Sequence, residues 1–402
     1  MEHRQLVIIG AGAAGLTAAI YGRRAGLDTL VLERGLYGGM INSTAEVENY
    51  PGTKRVTGMA LAAAFREQAE SFGPEFRSCG VQRVVLRGGR DGKVVVTDAG
   101  EISADALIIA SGAEFSKVGC EGEEKFLGKG VSYCAVCDGA FYDGAPVAVI
   151  GGGNAAVEEA EYLTQFASRV YIIHRREEFR ADASIVERVL SNTKIEPVLG
   201  CVVDEIYGGD MVEGVRVTRL GTGEKKRILT EGVFIFVGIK PTADFLEGSP
   251  IERSKSGWII TDDKMETSID GVFAAGDIRE KFLRQVVTAA GDGAAAAMAA
   301  YEYISNLKYF EDALFGHPHA YALLTSSIVP EHISLARDAE DWKKSSHAHI
   351  VFIDAHRSRR VMDELGVSEL PSLVELKDGV TVRVAGASSL DDVINFVREV
   401  AP

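Results

Sequence analysis

With 402 residues the chain exceeds one ordinary hydrophobic core, so two or three domains are expected. A hydrophobic share of 46% and a charged share of 25% are those of a globular protein, and a formal net charge of −15 excludes a nucleic-acid binder, which needs a basic face. No run approaches the roughly 20 apolar residues of a membrane span, the N-terminal strand leaves no room for a signal peptide, and five cysteines with one close pair do not make a secreted disulfide framework, so a cytoplasmic protein is expected.

Gln5-Leu-Val-Ile-Ile-Gly10 is a continuous apolar run of the kind found in buried parallel strands. Gly10-Ala11-Gly12-Ala13-Ala14-Gly15 follows and opens an Ala/Leu-rich helix that reaches Arg24. Such glycines permit a tight turn and a close approach of backbone to a pyrophosphate at the helix N-terminus. The next strand, Thr29-Leu-Val-Leu, ends at Glu33, where a carboxylate can accept hydrogen bonds from ribose hydroxyls. Strand, turn, helix, strand and acid together predict a dinucleotide site.

Cys134-Ala135-Val136-Cys137-Asp138 comes next, leading into the first turn of a helix. The spacing lets the sulfurs close a small disulfide, and a helix N-terminus lowers a thiol's pKa. Asp138 can move the proton that accompanies reduction and reoxidation of the pair. A structural zinc would require four ligands, and neither a second Cys-x-x-Cys nor a Cys/His pair is present, so no metal is expected. Cys79, Cys120 and Cys201 are scattered and read as structural.

Pro146-Val-Ala-Val-Ile150 repeats the buried strand, and Gly151-Gly152-Gly153-Asn154-Ala155-Ala156 repeats the turn, with a helix predicted to Phe166 and a strand over 169–173. His174 stands at the offset from Gly151 that Glu33 has from Gly10, and Arg175, Arg176 and Arg180 follow. Exchanging the carboxylate for guanidinium groups suits a 2′-phosphate. The first site is thus read as one for FAD and the second as one for NADPH, with the dithiol as the electron exit.

Further on, Gly271-Val-Phe-Ala-Ala-Gly-Asp277 and Arg284-Gln285-Val286 precede an Ala-rich helix predicted over 286–302. Asp312-Ala-Leu-Phe-Gly-His-Pro-His319 reads as a boundary, its two histidines as linker rather than metal ligands. The tail predicts a strand over 349–353, a helix to Leu365, a hairpin turning at Lys377-Asp378-Gly379, and a last helix over 389–399.

These motifs, in this order, resemble the low-molecular-weight, bacterial-type thioredoxin reductases of the pyridine nucleotide-disulfide oxidoreductase family over residues 1–315. Val47-Glu-Asn-Tyr-Pro-Gly52 resembles its flavin-loop segment, Ile109-Ala-Ser-Gly-Ala113 its domain exit, Ser132-Tyr-Cys-Ala-Val-Cys-Asp-Gly139 its redox motif and His174-Arg-Arg-Glu-Glu-Phe-Arg-Ala181 its phosphate clamp. The resemblance implies an α/β fold of two Rossmann-like domains. An FAD domain of residues 1–114 and 246–315 would be interrupted by an NADPH domain of residues 115–245 that includes the dithiol. It implies FAD held by Gly10, Gly12, Ala14, Gly15, Glu33, Gly39, Met40, Asn49, Ser111, Gly112, Gly276, Asp277, Arg284, Gln285 and Val286. NADPH would be held by Gly151, Gly153, Asn154, Ala155, His174, Arg175, Arg176 and Arg180. Cys137 would face the flavin, Cys134 would attack the partner's disulfide and Asp138 would act as acid and base, in a homodimer that alternates between two domain arrangements.

Residues 320–402 resemble a thioredoxin-like α/β domain, with Gly366-Val-Ser-Glu-Leu-Pro371 matching the cis-proline segment. Ile328-Val329-Pro330-Glu331 stands where that family has its two cysteines, so this tail cannot shuttle electrons through thiols and is expected to bind, regulate or assemble. The expected activity is NADPH-dependent reduction of a protein disulfide, thioredoxin's first. A peroxiredoxin or glutaredoxin-like partner, or a nucleotide-responsive sensor whose C-terminal module binds a partner, are the alternatives.

Overall fold

The computed structural model describes residues 1–44, 47–86, 92–346, 348–355 and 359–398. The chain begins with β1 (Glu2–Ile9), α1 (Ala13–Arg24), β2 (Thr29–Glu33), α2 (Gly58–Ser71), β3 (Glu75–Ser78), β4 (Val81–Leu86), β5 (Lys93–Thr97) and β6 (Gly100–Ile109). The strands lie in the order β3-β2-β1-β6-β5-β4, with β1, β2, β3 and β6 parallel. β1 is apolar throughout its second half because it serves two cores. Leu6 and Ile8 pack with the helices on one face, while Val7 and Ile9 pack with the strands and loops on the other.

The chain then leaves this sheet by β7 (Ala113–Phe115) for β8 (Val131–Ser132), α3 (Ala135–Asp138), β9 (Pro146–Gly151), α4 (Asn154–Leu163), β10 (Arg169–His174), α5 (Ala183–Leu190), β11 (Ile195–Leu199), β12 (Cys201–Gly208), β13 (Val212–Arg219), β14 (Lys225–Leu229) and β15 (Gly232–Phe236). A second parallel sheet has the order β11-β10-β9-β15-β8, and an antiparallel one the order β12-β13-β14. The chain returns by β16 (Ile239–Pro241), which pairs antiparallel with β7, so the outgoing and incoming segments form one two-stranded connector. β17 (Val272–Ala274) then adds to β6 of the first sheet. The inserted second nucleotide unit expected from sequence is therefore present, although α4 stops at Leu163, short of Phe166.

α6 (Val286–Phe310) runs eight residues past the predicted helix end at 302, as 310 − 302 = 8, and a five-residue π turn (Glu311–Phe315) continues it. Its small side chains let it lie close on α1: a Cβ on Gly293 would collide with the Ala14 carbonyl. Its far end does something the sequence did not suggest. Phe310 and Leu314 are buried in the core of the C-terminal sheet, His349 Nε2 donates to Ala313 O at 2.8 Å, and the expected linker is packed structure.

That sheet comprises β18 (His319–Thr325), β19 (Ile350–Asp354), β20 (Ser372–Lys377) and β21 (Val380–Gly386), in the order β19-β18-β20-β21, with α7 (Pro330–Lys343), α8 (Arg359–Leu365) and α9 (Leu390–Arg398). β18 and β19 are parallel and the rest antiparallel. Asp378 and Gly379 both take positive φ, the requirement of the tight hairpin turn that the Asp-Gly pair predicted. The Leu370–Pro371 bond is cis. α9 ends at Arg398, and Glu399 of the predicted helix lies outside the described residues. His317 and His319, read from sequence as linker, are structural. The His317 ring stacks on His349 at 4.0 Å, and His319 Nε2 meets the buried Glu375 carboxylate at 2.9 Å.

Candidate functional site

The glycines of the first fingerprint divide into two kinds. A Cβ on Gly10, whose φ is +101°, would collide with the Ala110 carbonyl, and one on Gly15 with the Gly10 carbonyl, so the turn itself demands both. Gly12 has an ordinary φ of −77°, and the nearest atom to a Cβ there is Gly38 O at 4.0 Å. No protein atom asks for glycine at this position. An open approach at the N-terminus of α1 fits a phosphate-bearing ligand.

Glu33 ends β2 as expected, and its carboxylate accepts from Ala11 N and Gly35 N, each at 2.7 Å. It ties the second strand to the fingerprint turn. Gly39 lies against Gly12, while Met40 is half-buried on the 3-10 turn (Gly39–Ser43). Ala14 is buried between Gly276 and Gly293, which places it in the helix contact rather than on the open side.

Residues far apart in sequence converge here. Asn49 Nδ2 donates to Gln285 Oε1 at 3.2 Å, joining the flavin-loop segment to the cap of α6, where Val286 begins the helix. Asp277 is deeply placed, and burial pushes its carboxyl above the ordinary range against the pull of Lys281 and Arg284. Its Oδ1 and the Nε of Arg284 are buried polar atoms without a hydrogen-bond partner among the described residues. The Arg284 guanidinium sits 3.9 Å over the Trp258 ring. A buried acceptor and a buried donor on one turn suit a ligand with hydroxyl and phosphate groups, because leaving them unmatched is costly. Ser111 Oγ donates to Thr242 O at 2.8 Å and Thr242 N to Gly112 O at 3.0 Å, so these two residues bind the connector's near end.

Sequence reading missed the group behind this turn. Asp292, inside the Ala-rich helix, accepts from Gly276 N at 3.0 Å, pairs with Arg279 at 3.0 Å and with Lys281 at 2.7 Å. All three side chains are largely buried. Asp292, the lone charged residue in the small-residue stretch from Ala289 to Ala297, was the available signal.

The second fingerprint repeats the pattern. A Cβ on Gly151 would lie 2.5 Å from Phe236 O, and one on Gly152 would collide with the His174 ring. Gly153, with φ of −95°, has no atom within 4 Å of a would-be Cβ, as at Gly12. Asn154 exchanges two hydrogen bonds with Asp182, and Arg180 N donates to Gly152 O at 2.7 Å, so the basic loop is held on the fingerprint. Ala155 is exposed in the first turn of α4.

The basic cluster itself splits in the structure. Arg175, Arg176 and Arg180 are exposed, and no ion pair is made by them among the described residues. His174 is only 5% exposed, stacks on Phe179 and leaves Nε2 buried without a partner. Burial lowers its pKa, and the charges of Arg180, Arg176 and Arg175 lower it further. It is a neutral ring at neutral pH, distinct from the three cations beside it.

Cys134 and Cys137 are joined by a disulfide. Cys134 is the N-cap of α3, and its Sγ accepts from Cys137 N at 3.2 Å. That donor would stabilise a thiolate on Cys134 once the bond is reduced. Ala135 anchors the short helix in the core shared with Ala156, Val157, Ala160 and Leu163, so the pair rides on the second nucleotide unit. Asp138 closes α3, and Tyr142 nearby is pushed up to about 12, by burial first and by the Asp138 charge second. Phe141, just beyond, lies under the Arg55 guanidinium at 5.6 Å. This contact turns the dithiol end of the inserted unit toward the Asn49 side of the first. Cys79 and Cys201 are buried and Cys120 half-buried, with burial raising each thiol pKa, for Cys120 to about 11.

The sequence pattern of the pyridine nucleotide-disulphide oxidoreductases matches residues 4–293. The chain is 45% identical over 304 residues to a thioredoxin reductase of Bacillus subtilis, which covers 75% of this chain and 95% of that protein. It is similar to the crystal structure of thioredoxin reductase from Streptococcus pyogenes, at 43% identity and a TM-score of 0.73, over 76% of this chain and 99% of the other. Against the Lactococcus lactis thioredoxin reductase described as the FR conformation, identity is 44%, coverage 75% and 99%, and the TM-score 0.53. About a quarter of the chain has no counterpart in these relatives.

Proposed function

We propose a function from one premise: the chain belongs to the pyridine nucleotide-disulphide oxidoreductase family and sits among its thioredoxin reductases. Its activity is reduction of a protein disulfide by NADPH, a thioredoxin-disulfide reductase activity that depends on FAD. The single observation that supports this best is a disulfide on a helix N-cap, Cys134–Cys137, mounted on one nucleotide cradle and turned toward another.

Both cradles suit their ligands, since Gly12 and Gly153 leave open approaches and Asp277 Oδ1, Arg284 Nε and His174 Nε2 await partners. FAD, when bound, supplies the two-electron relay between nicotinamide and disulfide. Gly10, Gly12, Ala14, Gly15, Glu33, Gly39, Met40, Asn49, Ser111, Gly112, Gly276, Asp277, Arg284, Gln285 and Val286 would hold it. Gly151, Gly153, Asn154, Ala155 and His174 would orient NADPH, with Arg175, Arg176 and Arg180 on its 2′-phosphate. Cys137 is the flavin-side sulfur in this reading, Cys134 attacks the partner's disulfide, and Asp138 moves the proton. The proposed domains are 1–114 with 246–315, 115–245, and 320–402. A homodimer, alternation between two domain settings and a cytoplasmic location complete the proposal. Among the described residues no helix is long and apolar enough to cross a membrane.

The expected result is NADPH oxidation that continues only when oxidised thioredoxin is supplied, followed as loss of absorbance on the FAD-loaded protein. No turnover with thioredoxin, a peroxiredoxin or a glutaredoxin-like protein would leave the sensor alternative standing.

Residues 320–402 are read as a cysteine-less thioredoxin-like domain, supported by the strand order β19-β18-β20-β21 and the placement of Pro371 before β20. Ile328, where the redox motif would stand, is 68% exposed ahead of α7. In this reading the domain docks a partner. Its removal should raise KM for the partner and leave kcat with a small dithiol-accepting reagent unchanged. Because truncation uncovers Phe310 and Leu314, Ile328→Asp in the full chain is the companion variant. Unchanged KM and oligomeric state in both would sink the docking role.

A further inference from the structure

Glu123 is a carboxylate only 3% exposed, and neither cradle uses it. It accepts three hydrogen bonds, from Val118 N at 3.1 Å, Gly119 N at 2.7 Å and the Tyr133 hydroxyl at 2.6 Å. Tyr133 immediately precedes Cys134, and its ring stacks on Phe115 with centroids 4.9 Å apart and planes 10° from parallel. Phe115 ends β7, the outgoing strand of the connector. One phenol therefore touches the end of the connector, the loop that leaves it and the redox strand.

We infer that Tyr133, clamped by Glu123 and Phe115, is a positioning residue that fixes Cys134 to the far end of the connector. The clamp sits on a loop already fastened to the inserted domain. Glu121 N donates to Asp204 O at 3.2 Å, Ile206 N to Glu121 O at 2.8 Å, and a Cβ on Gly122 would collide with the Ile206 carbonyl. Ser116 N donates to Gly238 O at 2.9 Å, closing the connector at the same end. Burial, then the hydrogen bond to the Glu123 carboxylate, push the Tyr133 phenol far above its ordinary range, so it remains a donor.

At the other end the connector is held by hydrogen bonds with no ring stack: Ser111 Oγ donates to Thr242 O at 2.8 Å and Thr242 N to Gly112 O at 3.0 Å. Gly112 has a φ of +71° and nothing within 4 Å of a would-be Cβ. In this inference a rotation of one domain against the other pivots on the side of Gly112 and Thr242, and the clamp keeps Cys134 at a fixed radius from it. Without the clamp the pivot spreads into residues 115–119, and the redox pair loses its set distance from the first domain. A loss of register of about 1 Å at a reacting group costs up to roughly a hundredfold in rate.

The inference rests on Cys134–Cys137 being the pair reduced within the flavoprotein, and the test separates the two. The FAD-loaded full chain is mixed with NADPH in a stopped-flow instrument, and two phases are read at the flavin absorbance: its bleaching, and its recovery as the internal disulfide is reduced. Wild type lacking the second phase would refute the proposed function itself. With that phase present, Tyr133→Ala should slow it about tenfold or more while leaving the bleaching phase at the wild-type rate. Tyr133→Phe keeps the ring stack and should fall between. Glu123→Gln, which sets an amide N–H against a backbone N–H, should resemble Tyr133→Ala in direction. A melting temperature and FAD content for each variant monitor folding. Slowing of both phases together with a lower melting temperature, or wild-type recovery rates in both Tyr133→Ala and Glu123→Gln, would overturn the positioning role.

Discussion

Replacing either sulfur of the Cys134–Cys137 pair by serine is expected to abolish NADPH-driven reduction of thioredoxin, by on the order of a thousandfold or more, since no other thiol can substitute for the nucleophile. The three remaining cysteines, Cys79, Cys120 and Cys201, are buried or half-buried with raised pKa values, so they are poor replacements. Both variants should stay yellow, because neither sulfur belongs to the Gly12 or Asp277 cradle. They should also differ from each other. In Cys137→Ser, Cys134 keeps a serine backbone N–H at its cap and can attack a partner disulfide, forming one mixed disulfide and releasing one partner thiolate. With no Cys137 to resolve it, the mixed disulfide should accumulate and be visible on non-reducing electrophoresis. Cys134→Ser lacks the cap sulfur and should accumulate far less. Normal turnover in either variant, or equal trapping in both, would overturn the assignment of the two roles.

The second large effect concerns the nucleotide. Removing Arg175, Arg176 and Arg180 together by alanine should raise KM for NADPH by on the order of a thousandfold, because hydrogen bonds to charged groups are worth roughly 1.5–3 kcal/mol each and the low end applies to exposed side chains. KM for NADH should barely move, since it has no 2′-phosphate for these groups to meet. His174→Ala supplies the contrast. Its ring is packed on Gly152 and is neutral, so its loss should weaken both nucleotides alike. Steady-state kinetics with the two nucleotides decide it: parallel losses for NADH and NADPH in the triple variant would refute the phosphate role. Added salt should narrow the wild-type preference, as expected for exposed cations.

Local patterns told the sequence reader most about the cradles. Gly10, Gly12 and Gly15 followed by a strand ending in Glu33, and the same series ending in His174, depend on neighbours within one strand–turn–helix unit, and such units keep their geometry wherever they occur. The cap position of Cys134 was legible for the same reason. Contacts between distant segments were not. Asn49 meets Gln285 across 236 positions, and the Asp292 trio is scattered along a loop and a helix whose alanines gave no hint of an ionic centre. His174 looked cationic because it sits beside arginines, and only the approach of Gly152 reveals a buried ring. The length of α6 was underestimated because Phe310 is held by a tail whose core could not be foreseen from the helix alone.

That helix also sets the tail's reach. At 25 residues and a rise of about 1.5 Å each, it is a rod of about 37 Å, longer than the breadth of a small domain. One tip abuts Asn49, beside the face where Arg55 meets Phe141, and the other is cemented into the C-terminal sheet by Phe310 and Leu314. A partner docked on the proposed tail would therefore be held at the far end of this rod from Asn49.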